Sequence, residues 1–395
     1  MVVVDPKGNI QEVAPYVQQR EATAQAVVVL DLSGHLLVPG FVDTHLHVPQ
    51  TRVIGSASGP LLEWLGATVF PEEARFSEVA YARSVTNQFV EACVRVGTTS
   101  LMAFSSSHPG ATRASLEILG SRGVRATLGL TLMDQNCPEA ISVPPHRGLA
   151  EAEGLAKDFH GGDTGLLRTA VTPRFALSCS RKLLEGAAEL AERLDLPVQT
   201  HVSENEREGI ETLAVHPFAP DYLGVYEAVG LLGRRTVLAH AIHLSSSEWD
   251  RLAKSGTAIA HCPDSNAFLG SGRFTLANAD ARGVRVGLGS DVAAGRTFDM
   301  RRIASYAFDA ARETNSVVSA QRLFELATLR GAEALGIEAV AGSLEAGKAA
   351  DIAVLRPEIP CVDVETALRL ATFGSELAPC VRTFVQGRKV FDARG

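Results

Sequence analysis

The chain has 395 residues, 46% hydrophobic and 21% charged, and a net charge of −8, a globular composition with ample material for a large core. That acidic balance, without any Lys/Arg-rich run, excludes a nucleic-acid partner, because phosphate binding needs clustered cations. The longest apolar stretches are strand-sized, which predicts no membrane span, and "MVVVDPKGNI" lacks the basic-then-apolar order of a secretory signal. Six cysteines, at positions 93, 137, 179, 262, 361 and 380, form no C-x-x-C pair. They fit a reduced, cytoplasmic protein better than a disulfide framework, and Cys93, inside the helical pattern "NQFVEACVRVG", is expected to be buried.

In chain order, residues 1–39 carry short β segments ("VVVDPKGNI", "QAVVVLDLSGHLLVPG") with Gly-centred turns. From 42 to 291 one grammar repeats: a β-rich apolar run, a loop, then an amphipathic helical stretch. The candidate strands are "VDTHLHV" (42–48), 97–104, 124–132, 169–175, 197–203, 236–242, 257–263 and 284–291. Near-continuous Val/Ala/Ile/Leu runs suit parallel strands covered on both faces. Between them lie helical segments such as "SRKLLEGAAELAERLD" and "SSSEWDRLAKSG"; the second opens on capping serines and closes at Gly256. Residues 301–340 are helical, and 341–395 return to short β segments ("DIAVLRP", "VRTFVQGRKVF"). Eight strand–helix units predict an α/β chain with a TIM-like (β/α)8 barrel over 40–340, its last part helical. The two ends, 1–39 and 341–395, then pair into a small β-sandwich domain. An open doubly wound sheet explains the alternation too, but neither "GLGSDVAAG" nor "FLGSGRF" completes a dinucleotide fingerprint.

The chemistry stands at the C-terminal ends of those strands, where barrel active sites form. In an extended strand, residues i and i+2 share a face, so His45 and His47 project side by side. The fifth strand ends in His201, the sixth in His240 and the eighth in Asp291. Four imidazoles and a carboxylate make a nitrogen-and-oxygen set suited to Zn²⁺, with Fe²⁺ the alternative. The ordinary reading of any one of them is a hydrogen-bonded core histidine; all five at strand ends favours a metal. No lysine ends the fourth strand to bridge a second ion, which argues for one. A single ion holding a water implies hydrolytic chemistry. Glu204, three past His201, is the candidate general acid and base, against the plain alternative of a solvated helix-entry glutamate. Asp291 could accept the water's proton, and His240 could orient that water as well as, or instead of, ligating the ion.

These residues carry a resemblance. "PGFVDTHLHVPQ", "LLEWL…FPEEARF", "VTPRFALSCS", "THVSEN", "LAHAIHLSSSEW", "HCPDSNAFLGSGRF" and "LGSDV" follow one another in order over nearly the whole chain. The sequence resembles the amidohydrolase superfamily, in its mononuclear aminohydrolase branch, and "HVPQ", "LLEWL…FPEE" and "TPRF" resemble its guanine-acting members. The resemblance implies hydrolytic deamination of guanine to xanthine and ammonia. It implies that His45, His47, His201, His240 and Asp291 surround one zinc, that Glu204 shuttles protons, and that Gln50, Arg174 and Phe175 hold the base. It also implies a homodimer. These roles suit the residue types: an amide that donates and accepts, a guanidinium fork and a stacking face. The rivals are deamination of a related heterocycle (a pterin, an oxidised guanine or a triazine) and a non-catalytic scaffold with the same barrel.

Some features depart or compete. Ala293 and Ala294 follow Asp291 where relatives carry more glycine and are expected to narrow the pocket. Gln135 replaces a basic residue, and the stretch 135–165 matches loosely. "GSLEAGKA" (342–349) nearly spells a phosphate loop, but Ala349 stands where Ser or Thr must reach Mg²⁺. Cys262 reads as buried packing, His243 competes with His240 as a ligand, and His108 is a candidate for the pocket wall. The nucleic-acid-editing deaminases show H-x-E with P-C-x-x-C; this chain has H-x-x-E and no such pair.

Overall fold

The computed structural model describes residues 1–15, 28–56, 59–162 and 165–394. Its strands are β1 (Val2–Val4), β2 (Ile10–Val13), β3 (Leu36–Pro39), β4 (Phe41–His47), β5 (Thr98–Phe104), β6 (Arg125–Gly129), β7 (Thr131–Leu132), β8 (Leu167–Thr169), β9 (Thr172–Pro173), β10 (Val198–Val202), β11 (Thr236–His240), β12 (Ala258–His261), β13 (Val286–Leu288), β14 (Ile352–Leu355), β15 (Cys380–Val385) and β16 (Arg388–Asp392). β4, β5, β6 and β8 make one parallel sheet, and β10 to β13 make another. All seven residues of β4 and of β5 are buried, as strands covered on both faces require.

Two seams close the sheets into an eight-station barrel. At one, Val171 bridges Val198 and Phe175 bridges His201, both parallel. At the other, the Asp291 N–H donates to the His45 carbonyl at 2.8 Å and the His47 N–H to the Val292 carbonyl at 3.1 Å. Here β13 comes so close to β4 that a Cβ on Gly287 would meet Thr44 Cγ2 at 2.4 Å; only glycine permits that approach. The mouth of the barrel is therefore stitched at the positions that carry His45, His47 and Asp291.

The third and fourth stations differ from the continuous runs expected at 124–132 and 169–175. Each is split, and the outer pieces β7 and β9 pair only with each other. Pro173 has no N–H for a continuous ladder, so the fourth station bends, carrying Arg174 and Phe175 to the mouth. The surrounding helices follow the sequence rules. Helix Arg181–Arg193 is capped by Ser180, whose side chain accepts from the Leu183 N–H, and buries Leu183, Leu184, Ala187, Leu190 and Ala191. That i, i+3/i+4 stripe against the sheet contributes about 2 kcal/mol per leucine. Helix Ser246–Ser255 starts in a capping box, Ser245 with Glu248, and stops at Gly256 in the left-handed region. The helical stretch after the barrel is Met300–Glu313, Ala320–Leu326 and Leu329–Leu335.

Both ends of the chain meet in one antiparallel sheet ordered β16-β15-β14-β3. Ile10 of the β1–β2 hairpin clusters with Ile352 and Val354 of β14. The expectation of β segments alone over 341–395 is corrected by helix Val364–Phe373, capped by Asp363 through the Thr366 N–H. In "QAVVVLDLSGHLLVPG", residues 25–27 lie outside the described residues, 28–30 form no strand, and Leu36–Pro39 pairs with β14. Arg125, first residue of β6, joins this sheet to the barrel floor through a buried ion pair with Asp351, Nε to Oδ2 at 2.9 Å.

Candidate active site

β4, β10, β11 and the turn after β13 bring the predicted side chains to one point at the mouth. His45 Nε2 and His47 Nε2 lie 3.2 and 3.3 Å from Asp291 Oδ1, and His47 Nε2 lies 3.3 Å from His201 Nε2. His240 Nε2 is 3.8 Å from Asp291 Oδ2 and 3.3 Å from Glu204 Oε2. All six groups are buried. The turns that aim them are strained: Ser203, His240, Ala241 and Asp291 all take positive φ, between 47° and 71°. Such conformations in non-glycine residues persist only where the surroundings impose them, and they gather at functional sites.

Outer contacts fix the tautomers. His201 Nδ1 contacts the Arg174 carbonyl at 2.5 Å; a carbonyl only accepts, so Nδ1 carries the proton. His240 Nδ1 likewise faces Asn266 Oδ1 at 2.9 Å. Both rings then turn a bare Nε2 lone pair inward, the arrangement that second contacts impose on ligating histidines. Burial pushes His47 down to about 3, lowers His45, and carries His201 well below the ordinary imidazole range, so these rings are neutral. Burial alone would raise Asp291, but the imidazoles of His45 and His47 against it hold the carboxylate well below its usual range. Ser265 Oγ donates to Asp291 Oδ2 at 2.5 Å.

A divalent cation fits this set. His45 Nε2, His240 Nε2 and Glu204 Oε1 are buried without a hydrogen-bond partner, which is costly unless something else satisfies them. The donor atoms of His45, His47 and His201 lie within 4.8 Å of one another, as do those of His45, His240, Cys262 and Asp291. Neutral imidazoles and an ionised carboxylate are the forms in which these side chains ligate. Cys262 is the weakest of them: burial pushes its thiol well above the ordinary value, and Sγ contacts the Ala260 carbonyl.

Beside the cluster opens a cavity lined by Gln50, Arg174, Phe175 and Glu204 and walled by Trp64 and Leu269 among others. Trp64 comes from helix Leu61–Trp64, which runs on through a widened turn at Leu65–Val69, a distortion common at functional sites. Burial, reinforced by the charge of Asp291, pushes the Glu204 carboxyl well above the usual carboxylate range. Glu208 holds the Glu204 N–H at 3.0 Å. Ala294 lines the cavity, whereas Ala293 gives its N–H to Gln50 Oε1 at 3.3 Å. Gln135 instead braces the loop, donating to the carbonyls of Leu177 and Cys179. His243 turns away to the Ser271 carbonyl, and His108 precedes helix Pro109–Arg122 without lining the cavity. Three residues with no role in the sequence reading, Glu73, Ser265 and Asn266, touch the predicted ones directly. "FPEE" and "HCPDSN" were visible strings, but nothing in their spacing shows what they contact.

The amidohydrolase family model matches residues 36–390, and the chain belongs to that family. Among its relatives are guanine deaminases. One, from Escherichia coli K12, is 34% identical over 98% of this chain and 90% of its own length; a probable one, from Deinococcus radiodurans, is 39% identical over 83% and 75%. Among solved structures, the E. coli enzyme superposes with a TM-score of 0.94 over 99% of this chain and 92% of its own. A guanine deaminase from C. acetobutylicum, solved with guanine in its active site, gives 0.91 at 29% identity over 99% and 94%.

Proposed function

We propose that this chain hydrolyses guanine to xanthine and ammonia, using one zinc ion held by His45, His47, His201, His240 and Asp291. The reading is carried by one observation: the unpartnered Nε2 of His240 and Oε1 of Glu204 face the cavity whose walls include Gln50, Arg174 and Phe175. When bound there, the ion polarises water and so supplies a nucleophile near neutral pH; Fe²⁺ suits the same donors.

The side chains account for the remaining steps. Phe175 offers a flat face to the purine, and Gln50 and Arg174 offer hydrogen bonds to its polar edge. Water adds its oxygen to C2. Glu204 takes a proton from that water and passes it to the ring nitrogen beside C2, and its raised affinity for protons suits that transfer. Asp291, held ionised, accepts the second proton while His240 orients the water. Proton return to the exocyclic nitrogen then breaks the C2–N bond, and ammonia leaves. Burial of both carboxyls keeps competing water out of the exchange.

The same reading divides the chain into the chemical barrel, 40–340, and a small β domain built from 1–39 and 341–395, supported by the sheet that pairs β3 with β14. It places the protein in the cytoplasm, supported by six unpaired thiols, as a homodimer on the family's likeness, which light scattering checks. No helix among the described residues is long and apolar enough to cross a membrane. The functional test is ammonia release by the zinc-loaded protein across guanine, a pterin, an oxidised guanine and a triazine, with Glu204→Gln as control. Guanine is expected to be the fastest substrate by at least tenfold; a faster triazine or pterin would replace this substrate with another of the branch.

A further inference from the structure

Glu73 lies behind the cavity rather than in its lining, and its side chain is 1% exposed. Its two carboxylate oxygens are divided between two of the cavity's polar residues. Oε2 pairs with Arg174 Nη1 at 2.5 Å, and Oε1 accepts from Gln50 Nε2 at 3.3 Å. On the other side, Gln50 Oε1 accepts the Ala293 N–H at 3.3 Å. The orientation of the Gln50 amide is thereby set twice. An ionised carboxylate only accepts, so the amide nitrogen must face Glu73. A backbone N–H only donates, so the amide oxygen must face Ala293.

From this geometry we propose that Glu73 is the positioning residue that makes the pocket read an oxo group and refuse an amino group. The inference rests on the function proposed above. With one hydrogen and one lone pair committed, Gln50 keeps a single N–H and a single acceptor site side by side. That pair is complementary to a lactam edge, a carbonyl next to a ring N–H, which is how a 6-oxopurine presents itself. A 6-aminopurine presents the reverse, a donor beside a bare ring nitrogen, and would need the Gln50 amide turned over. Turning it over sets the amide oxygen against the Glu73 carboxylate and the NH₂ against the Ala293 N–H, so both contacts become repulsive. Arg174, anchored on the same carboxylate, adds only donors to the wall. The selectivity thus comes from building in a penalty for the wrong base.

The test compares guanine with 2,6-diaminopurine, which carries the same C2 amine, in the parent, Glu73→Gln and Glu73→Asp, with metal content and Tm recorded. The parent is expected to prefer guanine by roughly 10³-fold or more in kcat/KM, as pockets that pair a substrate's polar groups do. A glutamine at 73 both donates and accepts, so it releases the amide of Gln50. The preference should then fall at least tenfold, chiefly through a higher KM for guanine, with one ion still bound per chain. Glu73→Asp keeps the charge that buried Arg174 requires but falls one methylene short of Gln50. It is therefore expected to fold even if Glu73→Gln fails to, and to relax the preference by a smaller factor. A metal-replete variant with the parent's preference intact, or a loss confined to kcat and equal for both bases, would overturn the inference. A parent that releases no ammonia from guanine would instead overturn the function on which it rests.

Discussion

The two ends of the barrel treat buried charge in opposite ways. At the floor, Arg125 and Asp351 satisfy each other, and Asp351 Oδ1 also accepts the Gln386 N–H at 2.7 Å. At the mouth, His45, His240 and Glu204 keep buried atoms with no partner, and the turns at Ser203, His240 and Asp291 hold positive φ. Unpartnered atoms also occur elsewhere, hydroxyls at Thr98, Thr99 and Ser100 and single ring nitrogens at His216 and His261, but these are scattered, whereas those at the mouth gather round one point. The floor spends its charges on joining barrel to terminal sheet. The mouth leaves its charges available to something that enters. The closed ion pair at the floor serves the fold, and the open cluster at the mouth faces the cavity.

Substitutions at each end should therefore fail differently. Glu204→Gln is expected to cost roughly 10³–10⁴-fold in kcat, the usual reach of a general acid–base group, with little change in Tm. A matching fall in Tm would place Glu204 with the floor residues. Asp351→Asn leaves Arg125 buried and uncompensated, so denaturant unfolding should show a loss of about 3–5 kcal/mol, while kcat of the folded fraction stays at the parent's value. A fall in kcat with full stability would erase the contrast.

Asp43 lies between the two regimes, buried and accepting the Ser290 N–H at 2.9 Å and the His45 N–H at 3.3 Å. Burial raises its carboxyl from 3.8 to about 6. Its folded value exceeds its unfolded one, so its stabilising contribution is complete below about pH 4 and is lost as pH rises through 6. Asp43→Asn cannot ionise. In metal-free protein it should lack about 3 kcal/mol of that decline, at 1.36 kcal/mol per unit. Parallel curves for parent and variant in urea at pH 4 and pH 8 would contradict this. The smallest effect is expected at Asn266→Ala, which frees the His240 tautomer and should weaken metal binding by roughly 10–100-fold in a competition titration. An unchanged affinity would mean that His240 is not held for the ion.

The sequence made the mouth legible where chemistry and periodicity coincided. His45 and His47 are two apart on a strand, and His201, His240 and Asp291 each close an apolar run, so strand direction alone assembles them. What it did not reveal depends on distance along the chain. Glu73 meets Arg174 across 101 residues, and Ser265 meets Asp291 across 26, and no local pattern encodes either contact. The breaks in the third and fourth stations were hidden because a run of apolar residues looks alike whether or not its ladder continues, although Pro173 was the available warning. Helix Val364–Phe373 sits between two clear β runs; its signals, Asp363 as cap and leucines at 368 and 370, are present but short.

The central claim is that five side chains from four stations of the barrel hold one metal ion beside a proton-carrying glutamate. Elemental analysis of the purified protein, read together with ammonia release from guanine before and after chelation, tests it most directly. One equivalent of zinc or iron per chain is expected, activity should vanish on chelation and return with Zn²⁺, and His47→Ala and His201→Ala should lose both the ion and the activity. Two equivalents per chain, or undiminished ammonia release from protein stripped of every ion, would contradict the account.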